Sequence, residues 1–277
     1  MSIKRVIAGL GLLFTMVSVH ANGSLLIYPV RVAFDEVERS AQVTLTNTSD
    51  QTNTYRLEWR EKLVRAEGGY NALTEDEAKD LPIASSMLRY SPRQVTLKAG
   101  ERQLIKLKLR RPRGLAEGEY RSHLLFKAVP PDNDVNNASS STTINIMLSF
   151  SIPVTIQQGQ YDTQVSLEQA NITYNPSAGT RTVSLDLARK GLHSSSGHLS
   201  AYWTAEGGKE ILLAKLSDYN LWSELSEIRA SLISTKADFT PSDGRLRIHY
   251  EGARDFRGIT YLDEVIEVKR SQIVIKK

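Results

Sequence analysis

The stretch INIMLSFSIPVTI, residues 144 to 156, carries an apolar side chain at every second position: Ile144, Ile146, Leu148, Phe150, Ile152, Val154 and Ile156. A strand sends successive side chains to opposite faces, so this period predicts a strand with all seven on one face. Asn145, Met147, Ser149, Ser151, Pro153 and Thr155 fall on the other face. The run is about twice the usual strand length. Pro153 has no N–H to give to a ladder, which places that end at a sheet edge or a bend. A long apolar edge strand is an aggregation hazard that proteins ordinarily suppress, so its retention calls for a function.

The same period recurs along the chain, punctuated by turns. Residues 24 to 36 contain the apolar LLIYPVRVAF, 41 to 48 alternate through Ala41, Val43 and Leu45, and 54 to 64 alternate through Tyr55, Leu57 and Trp59. Each predicts a half-buried strand. Residues 93 to 97, a turn at Lys98-Ala99-Gly100-Glu101, and the alternation Gln103, Ile105, Leu107, Leu109 predict a hairpin with a basic outer face. Residues 120 to 129 form a sixth strand and the 144 to 156 run a seventh, the pattern of an immunoglobulin-like sandwich. Between them, the polar stretch 130 to 143 reads as a loop. Thr74 and Glu77 stand at capping-box spacing, where a helical turn begins.

QQGQYDT, with Gly159, suits a linker between domains. Beyond it, period two resumes over 165 to 174, 181 to 187, 198 to 203, 211 to 216, 228 to 233, 245 to 250 and 261 to 268. The segment 218 to 233 also fits a helical stripe through Leu221, Leu225 and Ile228, and is taken as loop plus strand. The fold class expected is therefore all-β, two immunoglobulin-like β-sandwich domains in tandem, at 22–157 and 158–277.

Lys4 and Arg5 precede an apolar run over 6 to 19 that ends in Val19-His20-Ala21, the form of a secretory signal peptide over 1–21. That run is too short for a membrane span, and no later stretch approaches the roughly 20 apolar residues a span needs. The expectation is an exported protein without membrane insertion. Removing 1–21 takes away two basic residues, so the formal net charge of +4 falls by two. With both signs interspersed, a solvated surface is expected rather than a nucleic-acid partner. There are no cysteines, which excludes a disulfide framework and thiol chemistry.

Candidate chemistry is sparse. His123, His193, His198 and His249 lack a metal-ligand spacing, and there is no Gly-x-Ser-x-Gly elbow or phosphate-binding glycine loop. Gly68-Gly69 and Gly207-Gly208 look like hairpin turns. The acidic Glu75, Asp76 and Glu77 read as a solvated helix start. No catalytic residue, metal site or cofactor is expected. Arg31, inside IYPVRVAF, stands out. A lone Arg in an apolar strand is commonly a snorkelling or internally satisfied side chain; the alternative is a ligand group beside a cleft.

At these residues the sequence resembles the PapD-like periplasmic chaperones of the chaperone–usher pilus pathway, in a divergent branch. The resemblance rests on YPVRVAFDE (28 to 36), VTLTN (43 to 47), SPRQVTLKAGERQLIKLKLR (91 to 110), YRSHLLFKAVPP (120 to 131) and the alternating strand, and covers 24 to 156. It implies a periplasmic chaperone, not an enzyme, with pilus or fimbrial subunits and an outer-membrane usher as partners, and a self-capping dimer as one state open to the free protein. It implies donor-strand complementation, in which the chaperone lends a strand to a subunit that lacks one. The lending side chains would be Ile144, Ile146 and Leu148, continuing through Phe150 and Ile152. It further implies that Arg31 anchors the subunit's C-terminal carboxylate in the cleft between domains. The family's accompanying Lys falls on Pro153, which leaves Arg31 alone, or joined by another base such as Arg89 or Arg121, or the carboxylate held in a different way. The rival reading is an exported structural protein, a two-sandwich adhesin or pilus subunit.

Overall fold

A computed structural model of the chain describes residues 25–130, 148–235 and 239–276. The first part folds as β1 (Leu25–Tyr28), β2 (Val32–Phe34), β3 (Ser40–Asn47), β4 (Asn53–Arg60), β5 (Lys62–Val64), β6 (Tyr70–Ala72), α1 (Glu75–Ala78), β7 (Leu88–Ser91), β8 (Gln94–Leu97), β9 (Arg102–Leu109), β10 (Gly118–Val129) and β11 (Phe150–Gln158). One sheet runs β1-β3-β9-β7 and faces another, β2-β11-β10-β4-β8. Val43, Leu45, Ile105 and Leu107 from the first meet Phe34, Leu57, Leu124, Phe126, Val154 and Ile156 from the second in one core. β5 and β6 form a separate hairpin whose turn uses the positive φ of Gly68 and Gly69.

The second part continues as β12 (Gln164–Asn175), β13 (Thr180–Lys190), β14 (Ser195–Ala205), β15 (Ile211–Leu221), β16 (Glu227–Ser234), β17 (Gly244–Gly252), β18 (Thr260–Val268) and β19 (Val274–Ile275). Its sheets, β16-β13-β12-β19 and β15-β14-β17-β18, close on a separate core that includes Val183, Leu185, Leu199, Trp203, Leu246 and Tyr250. The all-β, two-sandwich expectation matches this architecture. The capping box also forms: Glu77 N donates to Thr74 Oγ1 at 3.4 Å and Thr74 N to Glu77 Oε2 at 2.8 Å.

Three expectations change. The strand expected over 24 to 36 is broken at Pro29-Val30-Arg31, because the chain changes sheets there: β1 pairs with β3, whereas β2 pairs in parallel with β11. The hairpin expected over 93 to 110 does not exist. β8 pairs with β4, and β9 with β3 and β7, so the turn at 98 to 101 arches from one sheet to the other. Alternation reports which side chains are buried, and it looks the same for a hairpin in one sheet and an arch across two. Finally, β15 runs on to Leu221 and β16 starts at Glu227, which makes 218 to 233 strand, turn and strand.

The segment taken as a linker is pinned to the second sandwich. Tyr161 donates its hydroxyl to the carbonyl of Ser194 at 2.9 Å, and Asp162 accepts from Leu192 N at 2.8 Å and meets His193 Nδ1 at 2.8 Å. Gly191 permits that approach: a Cβ there would stand 2.6 Å from the Asp162 carbonyl oxygen.

Asn47 ties the arch together. It is fully buried, and its amide donates to the carbonyls of Leu97 at 2.9 Å, Lys98 at 3.1 Å and Gln51 at 2.6 Å. Asn47→Ala strands those carbonyls, and is expected to cost about 1 to 3 kcal/mol, read as a lower urea midpoint with an unchanged slope. An unchanged midpoint would show that the arch holds without Asn47.

Candidate functional site

Two features of β11 set the site. Along one edge it pairs with β10 throughout, from Phe150 opposite Phe126 to Gln158 opposite Gly118. Along the other, β2 covers only 154 to 156. Among the described residues, 150 to 153 thus present a free edge, with Pro153 the last residue before β2 begins.

The apolar row divides along the same line. Val154 and Ile156 are fully buried in the first sandwich's own core, and Ile152 joins them at 3% exposure. Ile152 is therefore a core residue of this chain rather than a side chain free to enter a partner, because the sheet opposite already fills its face of β11. Phe150 is half-buried against the same core, and Leu148 is 52% exposed. Ile144 and Ile146 lie outside the described residues, as does the expected signal peptide.

The opposite face of β11 looks into the cleft between the sandwiches. Arg31, placed there by the sheet change after Pro29, is only 8% exposed. Its Nη1 donates to Asn220 Oδ1 at 2.7 Å and its Nη2 to Ser194 Oγ at 3.4 Å, both in the second sandwich. The guanidinium carbon lies 5.1 Å from the ring centroids of Trp222 and Phe256, within cation–π range. Its Nε N–H is buried without a partner. Arg31 is thus an inter-sandwich clamp whose Nε is left unpartnered. Its hydrogen bonds to Asn220 and Ser194 engage both Nη atoms, so an end-on bidentate grip on a carboxylate would compete with them.

The two bases weighed as companions go elsewhere. Arg89 is exposed on β7 and donates to the carbonyls of Ser86 at 3.3 Å and Leu88 at 2.9 Å. Arg121 lies 4.2 Å from the Trp222 ring centroid but is ion-paired to Glu224. The base that enters the cleft is Lys62 on β5, whose Nζ donates to Ser151 Oγ at 2.6 Å. Burial holds its ammonium below the ordinary lysine range. Sequence reading missed Lys62 because 54 to 64 reads as one alternating strand, whereas the chain breaks at Glu61 into β4 and β5 in different sheets, and that break sets Lys62 beside β11.

His123 was also passed over. It lies on β10 directly opposite Pro153, is 2% exposed, and neither ring nitrogen has a hydrogen-bond partner. Tyr70 packs on it edge to face at 5.1 Å. Burial, with the charges of Arg121 and Lys62 nearby, pushes its pKa down to about 3.

No family model matches the sequence, and no curated protein does. Solved structures do. A chain from a chaperone–tip adhesin complex of CFA/I fimbriae biogenesis aligns over 88% of this chain and 97% of its own, at TM-score 0.43 and 16% identity. The Salmonella enterica SafA pilin–SafB chaperone complex aligns over 88% and 96%, at 0.42 and 14%. The E. coli chaperone DraB aligns over 89% and 97%, at 0.41 and 12%. The chain is similar to fimbrial chaperones. At this distance the similarity is one of strand arrangement, and what the site does is argued from its own side chains.

A histidine held neutral has a pH signature. The unfolded chain binds a proton at His123 below about pH 6.5, whereas the folded chain does so only near pH 3. Its folded pKa is depressed, so its contribution is present above 6.5 and is lost as pH falls towards 3, by up to about 1.4 kcal/mol per unit. Urea midpoints of wild type and His123→Gln should converge as pH drops from 7 to 4.5. Parallel curves would mean that His123 is not held neutral.

Proposed function

We propose that the chain is a periplasmic chaperone for pilus-type subunits, which it binds by strand addition along the open edge of β11 and delivers to an outer-membrane usher. The observation that carries the reading is the change of surroundings along one row of apolar side chains. At Ile152 the row is inside the chain's own core; at Leu148, two strand turns earlier, it is in solvent. The row continues in the sequence through Ile146 and Ile144. A spare apolar row beside unpaired backbone is what an incomplete sandwich needs: main-chain pairing along its own open edge and plugs for its exposed core. Each plug that becomes fully buried contributes about 1.5 to 3 kcal/mol before ordering costs.

Export fits the same reading, since 1–21 has the form of a signal peptide, and so does the absence of catalytic spacing in the sequence. The domain division at 157/158 is part of the proposal, with the first sandwich as the binding domain. A two-sandwich adhesin or pilus subunit would instead need the 144 to 156 run paired on both sides; 150 to 153 are paired on one.

The test uses the chain co-expressed with pilus subunits from the same genome. Leu148→Arg changes an exposed side chain, so its melting temperature should stay at the wild-type value while subunit recovery from periplasmic extracts is lost. Ile146→Arg should act likewise. Ile152→Arg should unfold the first sandwich by burying an unpaired charge. Undiminished recovery with Leu148→Arg would sink the strand-addition reading.

A further inference from the structure

A cavity of about 340 Å³ crosses the junction between the sandwiches and shares only Lys62 with the cleft that holds Arg31. Its body is apolar: Leu63, Leu73, Leu81, Pro82 and Ile83 close it from the first sandwich and Leu192 from the second. Backbone bonds pin these walls, Arg121 N donating to the Pro82 carbonyl at 2.9 Å and Glu119 N to the Leu192 carbonyl at 3.2 Å. Among the apolar groups stand four glutamates and two bases. Arg121 is ion-paired to Glu224, Glu61 accepts from the Ser122 hydroxyl at 2.8 Å, and Lys62 turns to Ser151. Glu119 differs from these. It is 4% exposed, its Oε2 accepts from Ser194 Oγ at 2.6 Å and Ser194 N at 3.3 Å, and its Oε1 is buried without a partner. No base lies within ion-pair distance of it among the described residues. Arg189 reaches the same wall, but its N–H bonds go to the carbonyls of Gly191, His193, Ser223 and Leu225. Two residues further along β10, on the same face, Arg121 also keeps Nη1 buried without a partner. A buried acceptor and a buried donor left open carry a desolvation cost that a ligand bearing their complements removes.

We propose that this cavity binds the N-terminus of a peptide chain that begins with an apolar residue. The α-ammonium bonds Glu119 Oε1, the first carbonyl accepts from Arg121 Nη1, and the first side chain enters among Leu63, Leu81, Ile83 and Leu192. Period two makes the pairing physical. Glu119 and Arg121 sit one strand repeat apart, about 7 Å along β10, and project from the same face. A chain N-terminus carries the matching donor and acceptor on one residue, together with the side chain that would fill the apolar body. The charges select an ammonium: Glu117, exposed in the same wall, and Glu119 both lack an ion-pair partner, whereas Arg121 is already neutralised by Glu224. They also disfavour a free amino acid, whose carboxylate would stand among glutamates; in a chain that group is a neutral amide. A chain suits the surroundings as well, because Leu63, Leu81 and Leu192 are exposed and extend the apolar surface to solvent, where further residues would cover it. The site stands apart from strand addition by β11, and either can fail without the other.

The experiment is a calorimetric titration of the wild-type protein with the synthetic peptide Leu-Ser-Val-Thr-amide, with the same peptide N-acetylated, and with L-leucinamide. The free-amine peptide should bind saturably and the acetylated one at least about tenfold more weakly, the size expected for one hydrogen bond between charged groups. Glu119→Gln, which keeps an acceptor for Ser194, should weaken the free amine by a similar factor, and Leu192→Asn, at an exposed position, should weaken both peptides. Glu206→Gln, an exposed change outside the cavity, should leave binding unchanged. Melting temperatures check that the variants fold; if Glu119→Gln does not, the acetylated peptide on the wild-type protein and Leu192→Asn still decide. Equal affinity for free and acetylated peptide, no saturable binding, or wild-type affinity in Leu192→Asn would overturn the site. Leucinamide binding as tightly as the peptide would overturn the chain-terminus assignment and make the ligand a free apolar amine.

Discussion

A strand has two faces and two edges, and β11 uses each differently. One face closes the first sandwich through Ile152, Val154 and Ile156, and the other lines the cleft through Ser151 and Pro153. One edge is bound along its length by β10, while the other is covered by β2 only from Val154 onward. The period of two makes these uses inseparable. The alternation that buries Ile152 sets Leu148 on the same face, where it is 52% exposed, and a one-residue slip would turn the whole row to the other face.

β2 decides where the free edge begins, and its short length follows from the sheet change at 29 to 31. A continuous first strand would stay with β3. By breaking, the chain gives β1 to one sheet and β2 to the other, and Arg31 is left in the crossing, facing the second sandwich. The clamp made by Arg31, Asn220, Ser194 and Trp222 and the open edge of β11 are therefore products of one local event. This links the angle between the sandwiches to the strand that a partner would meet. Arg121, paired to Glu224 and 4.2 Å from the Trp222 ring centroid, adds to that junction.

Much of this was legible in the sequence because period two is written into single residues. Strand existence, the split into two runs of strands, the capping box at Thr74 and the oddity of Arg31 all follow from local pattern. Pairing did not follow. The arch at 98 to 101 looks like a hairpin turn until Asn47, some fifty residues away, is seen holding its carbonyls. Ile152 was expected to be available because alternation identifies a face but not what covers it. Lys62 and His123 were invisible for a different reason. Their significance comes from proximity to Pro153, across a ladder in one case and from a separate hairpin in the other, and neither has a distinctive neighbour in sequence.

Strand addition makes a claim about backbone as much as about side chains, and backbone amides report on it directly. The decisive measurement is amide hydrogen exchange of the chain alone and with a bound pilus subunit. Strand addition requires that the amides over 148 to 151 that point to the open edge slow markedly in the complex, while those of 154 to 156, in the part paired on both sides, keep their rates. Binding that protects the second sandwich or the exposed face of β9, with 148 to 151 exchanging as in the free protein, would contradict it.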